Sequence, residues 1–434
     1  MKVLLIKPKT LLEASIVSEA ESIVSPLGLL YMGVVLKKEH HKIKFIDLDL
    51  EEKPIEDIVH SFKPDWIGIT STTPSFPYAI DYARRIKKIT NTPIVIGGVH
   101  ATGVDSKLLD KYPEIDYIVR GEGKWAMRGF VAGKNPELID GVCFRKNNTV
   151  INKEITFIND LNTLPIPDRS LAKEYEYRDS PIYRRKNKHS TMLFSRGCMY
   201  KCIFCDYQTR GKPRFRNAEN IIKEIKQEYA KSITDFRIMD EFFTMNKTLV
   251  KKVCNQIIKD GMKISWNCQT RADVLDEDII ILMKKSGCWC VQIGFETGSP
   301  AFMERINKRL NLEKVKETCK LLKKHKIFTV VFFIIGSPFE TKKDINMTLK
   351  FARTLDTELV TFSMVTPFPA TDLWAESKLD DFDKPTLKRR GIFSNKGYFL
   401  KNINMEKPLS KAIRTYCFRI SAGIQTFLKE ACFQ

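Results

Sequence analysis

Short continuous apolar runs, separated by longer periodic stretches, set the rhythm of the first third of the chain. Residues 3–6, 43–46, 66–70, 94–96 and 117–119 are such runs, while 27–37 and 75–89 carry apolar positions at three- and four-residue steps. Buried strands spaced by helices predict a parallel sheet covered on both faces. Residues 1–135 are therefore expected to form a doubly wound α/β domain. From 136 to 187 the pattern loosens into a linker. Within it a small hairpin is expected to turn at Asn147-Asn148, Leu164-Pro-Ile-Pro-Asp168 reads as an extended connector, and 175–188 reads as exposed chain. A second rhythm follows, with strands at 191–194, 236–239, 264–268, 291–295, 329–335 and 359–365 and helical stretches between them. Six strand-helix units predict a partly open (β/α)6 barrel over 188–370. Residues 371–434 are left as a small helical C-terminal region. Between 385 and 434 it has ten Lys/Arg and two acids, with an apolar stripe from Leu409 to Ala431, which fits a docking helix, a lid or a peripheral membrane contact.

Both arrangements gather ligands at the carboxyl ends of their strands, so the residues just past each run carry the candidate chemistry. In the first domain these are Thr70, Ser71 and Thr72, then Gly97, Gly98 and His100, then Gly121 and Glu122. No GxGxxG opens the first helix and no Walker lysine follows a glycine-rich loop, which argues against dinucleotide and ATP binding. A scaffold whose glycines merely make turns is the plain alternative. In the barrel the corresponding residues are Asp240 and Glu241, Arg271, Glu296 and Gly336. Two adjacent acids, a bidentate-capable arginine and a further glutamate suit a polar ligand carrying both ammonium and carboxylate.

The densest signal is Cys198-Met-Tyr-Lys-Cys202-Ile-Phe-Cys205, directly after the first barrel strand. Three thiolates can hold three irons of a [4Fe-4S] cube and leave the fourth open to chemistry. An electron-carrying cluster normally takes four protein ligands, and structural zinc needs a second pair at a finger or ribbon spacing. Cys288-Trp-Cys290 sits in an apolar segment and reads as two small buried side chains.

Composition narrows the setting. At 434 residues and 43% hydrophobic content the chain can build two or three sizeable cores. Eleven cysteines outside any stapled small-domain spacing point to thiols and metal. The first residues read as a strand and no run is long enough to span a membrane, so a cytoplasmic protein is expected. The formal charge of +20 is mostly lysine interleaved with acids, and nucleic acid is not expected as a partner.

The CxxxCxxC spacing, with Phe204 before the last cysteine, resembles the cluster loop of the radical S-adenosylmethionine (SAM) enzymes. The resemblance implies that Cys198, Cys202 and Cys205 hold the cluster, that SAM occupies the fourth iron, and that Phe204 lies beside its adenine. Pro26-Leu-Gly-Leu-Leu-Tyr31, the hydroxyl run at 70–73, Gly97-Gly98-Val-His100-Ala-Thr and Arg120-Gly-Glu-Gly123 resemble the cobalamin-binding domain that precedes many such cores. They imply a corrinoid over these strand ends, its nucleotide tail entering beside Gly97 and Gly98. The cobalt-binding DxHxxG loop is absent, since 9–22 contains no histidine, so a base-off corrinoid without a protein histidine is expected. His100 is the one histidine near a proposed loop end. The family's usual acid after Arg-Gly-Glu-Gly is replaced by Lys124-Trp125.

Farther on, Ile238-Met-Asp-Glu-Phe-Phe-Thr, Trp266-Asn-Cys-Gln-Thr-Arg271, Gly294-Phe-Glu-Thr-Gly-Ser, Ile335-Gly-Ser-Pro-Phe-Glu and Thr366-Pro-Phe-Pro-Ala-Thr are similar, in order, to landmarks of cobalamin-dependent radical SAM proteins. Asp240 or Glu241, Arg271 and Glu296 are thereby expected around SAM and Gly336 beside the adenine. Ala370 stands where the family often has glycine. The function implied is a B12-dependent radical SAM methyltransferase that cleaves SAM to activate a C–H bond and transfers methyl from methylcobalamin. A cyclase or oxidase without net methylation and a non-catalytic corrinoid-binding protein are the alternatives. The partners expected are a small-molecule or lipid-like substrate and an electron donor such as flavodoxin or ferredoxin.

Overall fold

The computed structural model describes residues 1–10, 22–147 and 149–378. The C-terminal stripe, Asn148 and most of the 9–22 segment lie outside the described residues.

The first domain runs β1 (Lys2–Lys7), α1 (Leu27–Lys37), β2 (Lys42–Asp47), α2 (Ile55–Phe62), β3 (Trp66–Thr70), α3 (Phe76–Lys87), β4 (Ile94–Gly97), α4 (Val99–Val104), α5 (Lys107–Lys111), β5 (Tyr117–Val119) and α6 (Lys124–Val131). Alternate faces of the β-branched runs enter two separate cores. Leu4, Ile6, Ile67 and Ile69 pack against α2 and α3, whereas Val3, Leu5, Val95 and Val119 pack against α1 and α6. That division is what a doubly wound sheet requires. The hairpin β6 (Val142–Lys146) and β7 (Thr149–Asn152) extends this sheet rather than standing in a linker. The strand order is β2-β1-β3-β4-β5-β6-β7, parallel through β5 and antiparallel beyond it.

The chain between the domains is bound to both. Tyr175 and Tyr177 donate to Glu51 and Asp47 of the first domain at 2.8 and 3.1 Å, and buried Asp179 pairs with Arg237 of the second at 2.7 Å. The exposed segment expected at 175–188 is thus a strap in its first part, because its tyrosines and aspartate find partners in both domains.

The second domain continues with β8 (Ser190–Met192), β9 (Ser195–Arg196), β10 (Arg214–Phe215), α7 (Ala218–Tyr229), β11 (Asp235–Ile238), α8 (Lys247–Lys259), β12 (Ser265–Thr270), α9 (Glu277–Lys285), β13 (Cys288–Glu296), α10 (Pro300–Arg305), α11 (Leu312–Lys324), β14 (Phe328–Ile335), α12 (Lys342–Arg353), β15 (Leu359–Met364) and α13 (Asp372–Glu376). Six strands pair in parallel in the order β15-β14-β13-β12-β11-β8. The two ends of this sheet do not pair, which makes it a partial (β/α)6 barrel. Cys288 and Cys290 are buried strand residues, as expected.

Candidate active site between the domains

The carboxyl ends of the first sheet face the mouth of the partial barrel across a cavity of about 290 Å3. The first domain contributes Leu27, Gly28, Tyr31, Thr70, Gly97, Gly98, Gly121, Glu122 and Lys124 to its wall, and the barrel contributes Leu193, Arg196, Arg210, Arg214 and Glu241. Gly98 adopts φ +98, and a Cβ there would meet the Ser71 carbonyl oxygen at 2.4 Å. A Cβ on Gly28, by contrast, meets nothing within 4 Å. The cavity wall at α1 is therefore kept low by a missing side chain, as close approach of a large ligand requires.

Not every first-domain candidate reaches this space. Ser71 is fully buried and donates from its hydroxyl to the Gly97 carbonyl oxygen at 2.8 Å, so it fixes the β4 turn. Thr72 starts the next turn, its N–H donating to Ser75 Oγ at 2.8 Å. His100 is 1% exposed, stacks on Phe76 at 4.1 Å and lies 3.1 Å from Thr73 Oγ1. Burial pushes its pKa down to about 3, so it is a neutral core histidine, and it does not line the cavity where a cofactor contact was expected.

At the barrel mouth the cysteine loop lies between β9 and β10. Cys202 is buried, while Cys198 and Cys205 are partly exposed. Cys202 Sγ faces the Asn307 carbonyl at 3.7 Å and Cys205 Sγ faces Asp206 at 3.9 Å. Among the described residues no three side chains of metal-binding type already converge. Burial raises the Cys202 thiol and pushes Cys205 up to about 12. A soft three-thiol set in eight residues fits an iron-sulfur cluster, whose binding releases those protons.

Asp240 is 1% exposed and does not line the cavity. It accepts from the Phe194 N–H at 2.7 Å and from Ser195 Oγ at 2.6 Å, and burial raises its pKa to about 7. The expected SAM ligand is thus a brace for the strand that leads into the cysteine loop. Its neighbour Glu241 does line the cavity, pairs with Arg210 at 2.7 Å, and has one buried carboxylate oxygen without a partner among the described residues.

Arg271 is also committed internally. Its guanidinium chelates Asp273 at 3.0 and 2.8 Å, donates to the Lys308 carbonyl at 3.0 Å, and stacks on Tyr200 at 3.7 Å. It clamps the cysteine loop to the end of β12 rather than presenting a free fork to a carboxylate. Glu296 sits at φ +71 and pairs with Lys308 at 3.0 Å. Lys308 Nζ is 6.0 Å from the Phe204 ring centroid. Phe204 packs in an apolar cluster with Ile203, Ile334, Phe339 and Val365. Gly336 lies at that same strand end, at φ +84, donating its N–H to Glu340 at 2.7 Å.

Sequence reasoning named Tyr31 only as the end of a landmark and missed Lys124, Arg196, Arg210, Arg214 and Lys308 as site residues. Arg196 precedes the cysteine loop by two residues and Lys124 follows a quoted motif, so position was an available signal for both. Lys308 had none, since it lies in a loop with no landmark.

Comparison with known proteins agrees with this architecture. Residues 192–352 match the radical SAM superfamily model and 14–131 match the B12 binding domain model. An uncharacterised methyltransferase of Pyrococcus horikoshii is 32% identical over 386 residues, covering 86% of this chain and 82% of that one. The anaerobic magnesium-protoporphyrin IX monomethyl ester cyclase of Rubrivivax gelatinosus is 28% identical, covering 89% and 76%. In fold, the radical SAM methyltransferase TsrM of Kitasatospora setae, solved with cobalamin and a [4Fe-4S] cluster, aligns with TM-score 0.70 at 18% identity, covering 86% of this chain and 74% of that one. The chain belongs to the cobalamin-dependent radical SAM family, a B12-binding domain joined to a radical SAM core. It is an enzyme whose cofactors are cobalamin, SAM and a [4Fe-4S] cluster. Among the described residues no helix is long and apolar enough to cross a membrane.

Proposed function

We propose that the protein is a cobalamin-dependent radical SAM methyltransferase. The observation that carries this reading is the shared cavity, where Thr70, Gly97 and Gly98 on one wall face Glu241 and Leu193 on the other. A substrate carbon held between two such walls is positioned for hydrogen abstraction from one side and methyl delivery from the other. When bound, SAM at the reduced cluster supplies the hydrogen-abstracting radical and the corrinoid supplies the methyl group.

The chain's own residues bind, orient and exclude water. Cys198, Cys202 and Cys205 provide the thiolates, and Arg271 keeps their loop in place through Tyr200. Phe204 and the Gly336 turn offer a flat apolar edge for adenine, while Glu296 accepts from the SAM ribose or ammonium after exchanging with Lys308. Gly97 and Gly98 admit the corrinoid tail by backbone, with Gly121 beside them, and Leu27, Met32, Met127 and Leu193 keep the cavity dry. A small-molecule or lipid-like substrate, a flavodoxin or ferredoxin donor and a cytoplasmic setting complete the proposal.

The similarity to a methyltransferase of Pyrococcus horikoshii supports methylation. The Rubrivivax gelatinosus cyclase, which aligns over 89% of the chain, supports a second reading without net methylation. Product analysis of the anaerobically reconstituted, reduced enzyme separates them. Corrinoid-dependent formation of S-adenosylhomocysteine together with 5′-deoxyadenosine is the result for a methyltransferase. Formation of 5′-deoxyadenosine alone at full corrinoid occupancy rejects it for the cyclase or oxidase.

A further inference from the structure

Lys124, the first residue of α6, is 5% exposed and lines the interdomain cavity. Its ammonium lies over the Tyr31 ring at 5.6 Å and makes no hydrogen bond or ion pair among the described residues. Tyr31 carries a second cation, Arg196, at 5.5 Å from its centroid. The acid in this corner is Glu122, and two arginines and a backbone N–H already share it. One oxygen accepts from Arg196 at 2.5 Å, and the other accepts from Arg214 at 2.9 Å and from the Ile158 N–H at 2.6 Å. Three cations therefore surround one carboxylate, which both arginines already share. Burial foremost, and then Arg196, pushes Lys124 down to about 7, as follows for a desolvated cation short of negative charge. Leaving such a charge unpaired is costly, and an incoming anion removes the deficit.

We propose that Lys124 is the anchor of an oxyanion site in the interdomain cavity, taking a phosphate or carboxylate group of a bound ligand. The N-terminal end of α6 adds favourable dipole to the same corner. Two sources share this chemistry: the phosphodiester of the corrinoid's nucleotide tail and an anionic group on the substrate. The site itself stands on the lysine, the two arginines and the glutamate. It rests on the cobalamin reading of the function only for which source fills it.

Calorimetric titration of the full-length, cluster-loaded protein with inorganic phosphate tests the proposal, comparing wild type with Lys124→Met and Lys124→Arg. Phosphate affinity is expected to fall about tenfold or more in Lys124→Met, the size of a lost charge-assisted hydrogen bond, and to stay within about threefold of wild type in Lys124→Arg. The arginine variant keeps the comparison meaningful if the methionine variant folds poorly. Abolition of the Lys124-dependent phosphate binding by cobalamin, but not by cobinamide, which lacks the phosphodiester, assigns the site to the corrinoid tail. Persistence of that binding with cobalamin in place assigns it to the substrate. Equal phosphate affinity in wild type and Lys124→Met, or no binding to either, overturns the proposal. Failure of wild type to bind any corrinoid while phosphate still depends on Lys124 overturns the cobalamin reading and leaves the oxyanion site standing.

Discussion

Glu122 of the first domain accepts from Arg196 of β9 at 2.5 Å and, through its other oxygen, from Arg214 of β10 at 2.9 Å. Arg196 and Arg214 are directly paired across the antiparallel β9-β10 ribbon, where two like charges repel. The carboxylate between them turns that repulsion into a clamp. Because the cysteine loop is the connection between β9 and β10, docking of the first domain also closes the base of the cluster loop.

Glu122→Ala strands two mostly buried arginines, and about 3 kcal/mol of stability is expected to go with it. Denaturant unfolding measures the loss, and lower iron content after reconstitution is expected alongside. Burial pushes the Glu122 pKa up, but Arg196, the Ile158 N–H and Lys124 together outweigh it and the net shift is down from 4.5. A carboxylate with a depressed folded-state pKa stabilises fully above its unfolded value and loses that contribution as pH falls below it. The wild type is therefore expected to lose this stability as pH drops below about 4.5, and Glu122→Gln to lack that component.

The glycines of the cavity separate a steric effect from a folding effect. Gly28 faces open space within α1, so Gly28→Ala is expected to hold or raise stability by up to about 1 kcal/mol through helix propensity. Gly28→Phe is expected to fold, keep its cluster and lose cobalamin binding, read by visible absorbance after anaerobic titration. Gly98→Val forces both a positive φ and a clash with Ser71, and is expected to lower stability and cobalamin binding together.

Much of the fold was legible from periodicity, because burial on both faces writes β-branched runs directly into β1, β3, β4 and β14. The α1 boundaries predicted from the apolar steps coincide with those observed, Leu27–Lys37. The hairpin was legible as a hairpin but not as the edge of the first sheet, since Val119↔Val142 pairing is a long-range choice that local sequence does not encode. The site was legible by position along the strands and less so by direction. Ser71, His100 and Asp240 stand beside cavity-lining Thr70, Gly98 and Glu241, yet the alternation of side chains and local turns send them into the core. Arg271 is the instructive case, because bidentate geometry was anticipated correctly and the carboxylate proved to be its own near neighbour, Asp273.

That finding makes Arg271 separable from Glu296. Arg271→Ala and Tyr200→Ala are each expected to lower iron and sulfide loading, because either one releases the same loop. Glu296→Gln is expected to retain the cluster and weaken SAM binding. Cys202→Ala is expected to abolish the [4Fe-4S] signal. Iron and sulfide counts with Mössbauer spectra, beside equilibrium binding of SAM, distinguish the three classes. Undiminished loading in Arg271→Ala contradicts the clamp.

Ala370 occupies φ +67, and the neighbouring Pro369 carbonyl lies 2.8 Å from where a Cβ on Gly103 of α4 would stand. A left-handed alanine costs about 1 kcal/mol relative to glycine. Ala370→Gly is expected to raise stability by that order in a denaturant titration, less any gain in unfolded-state entropy. Gly103→Ala is expected to loosen the contact between α4 and the sixth barrel loop, seen as faster proteolysis between the domains.

The central claim is that the cavity over the first sheet's strand ends, walled on the barrel side by Arg196, Arg210 and Arg214 from the flanks of the cluster loop, brings the two cofactors together. Pulsed EPR on the full-length enzyme, loaded with cob(II)alamin and a reduced [4Fe-4S] cluster, measures it most directly. The account predicts a resolvable magnetic interaction between cobalt and cluster, lost in Gly28→Phe together with the corrinoid. Two fully occupied but magnetically independent centres in the wild type contradict it.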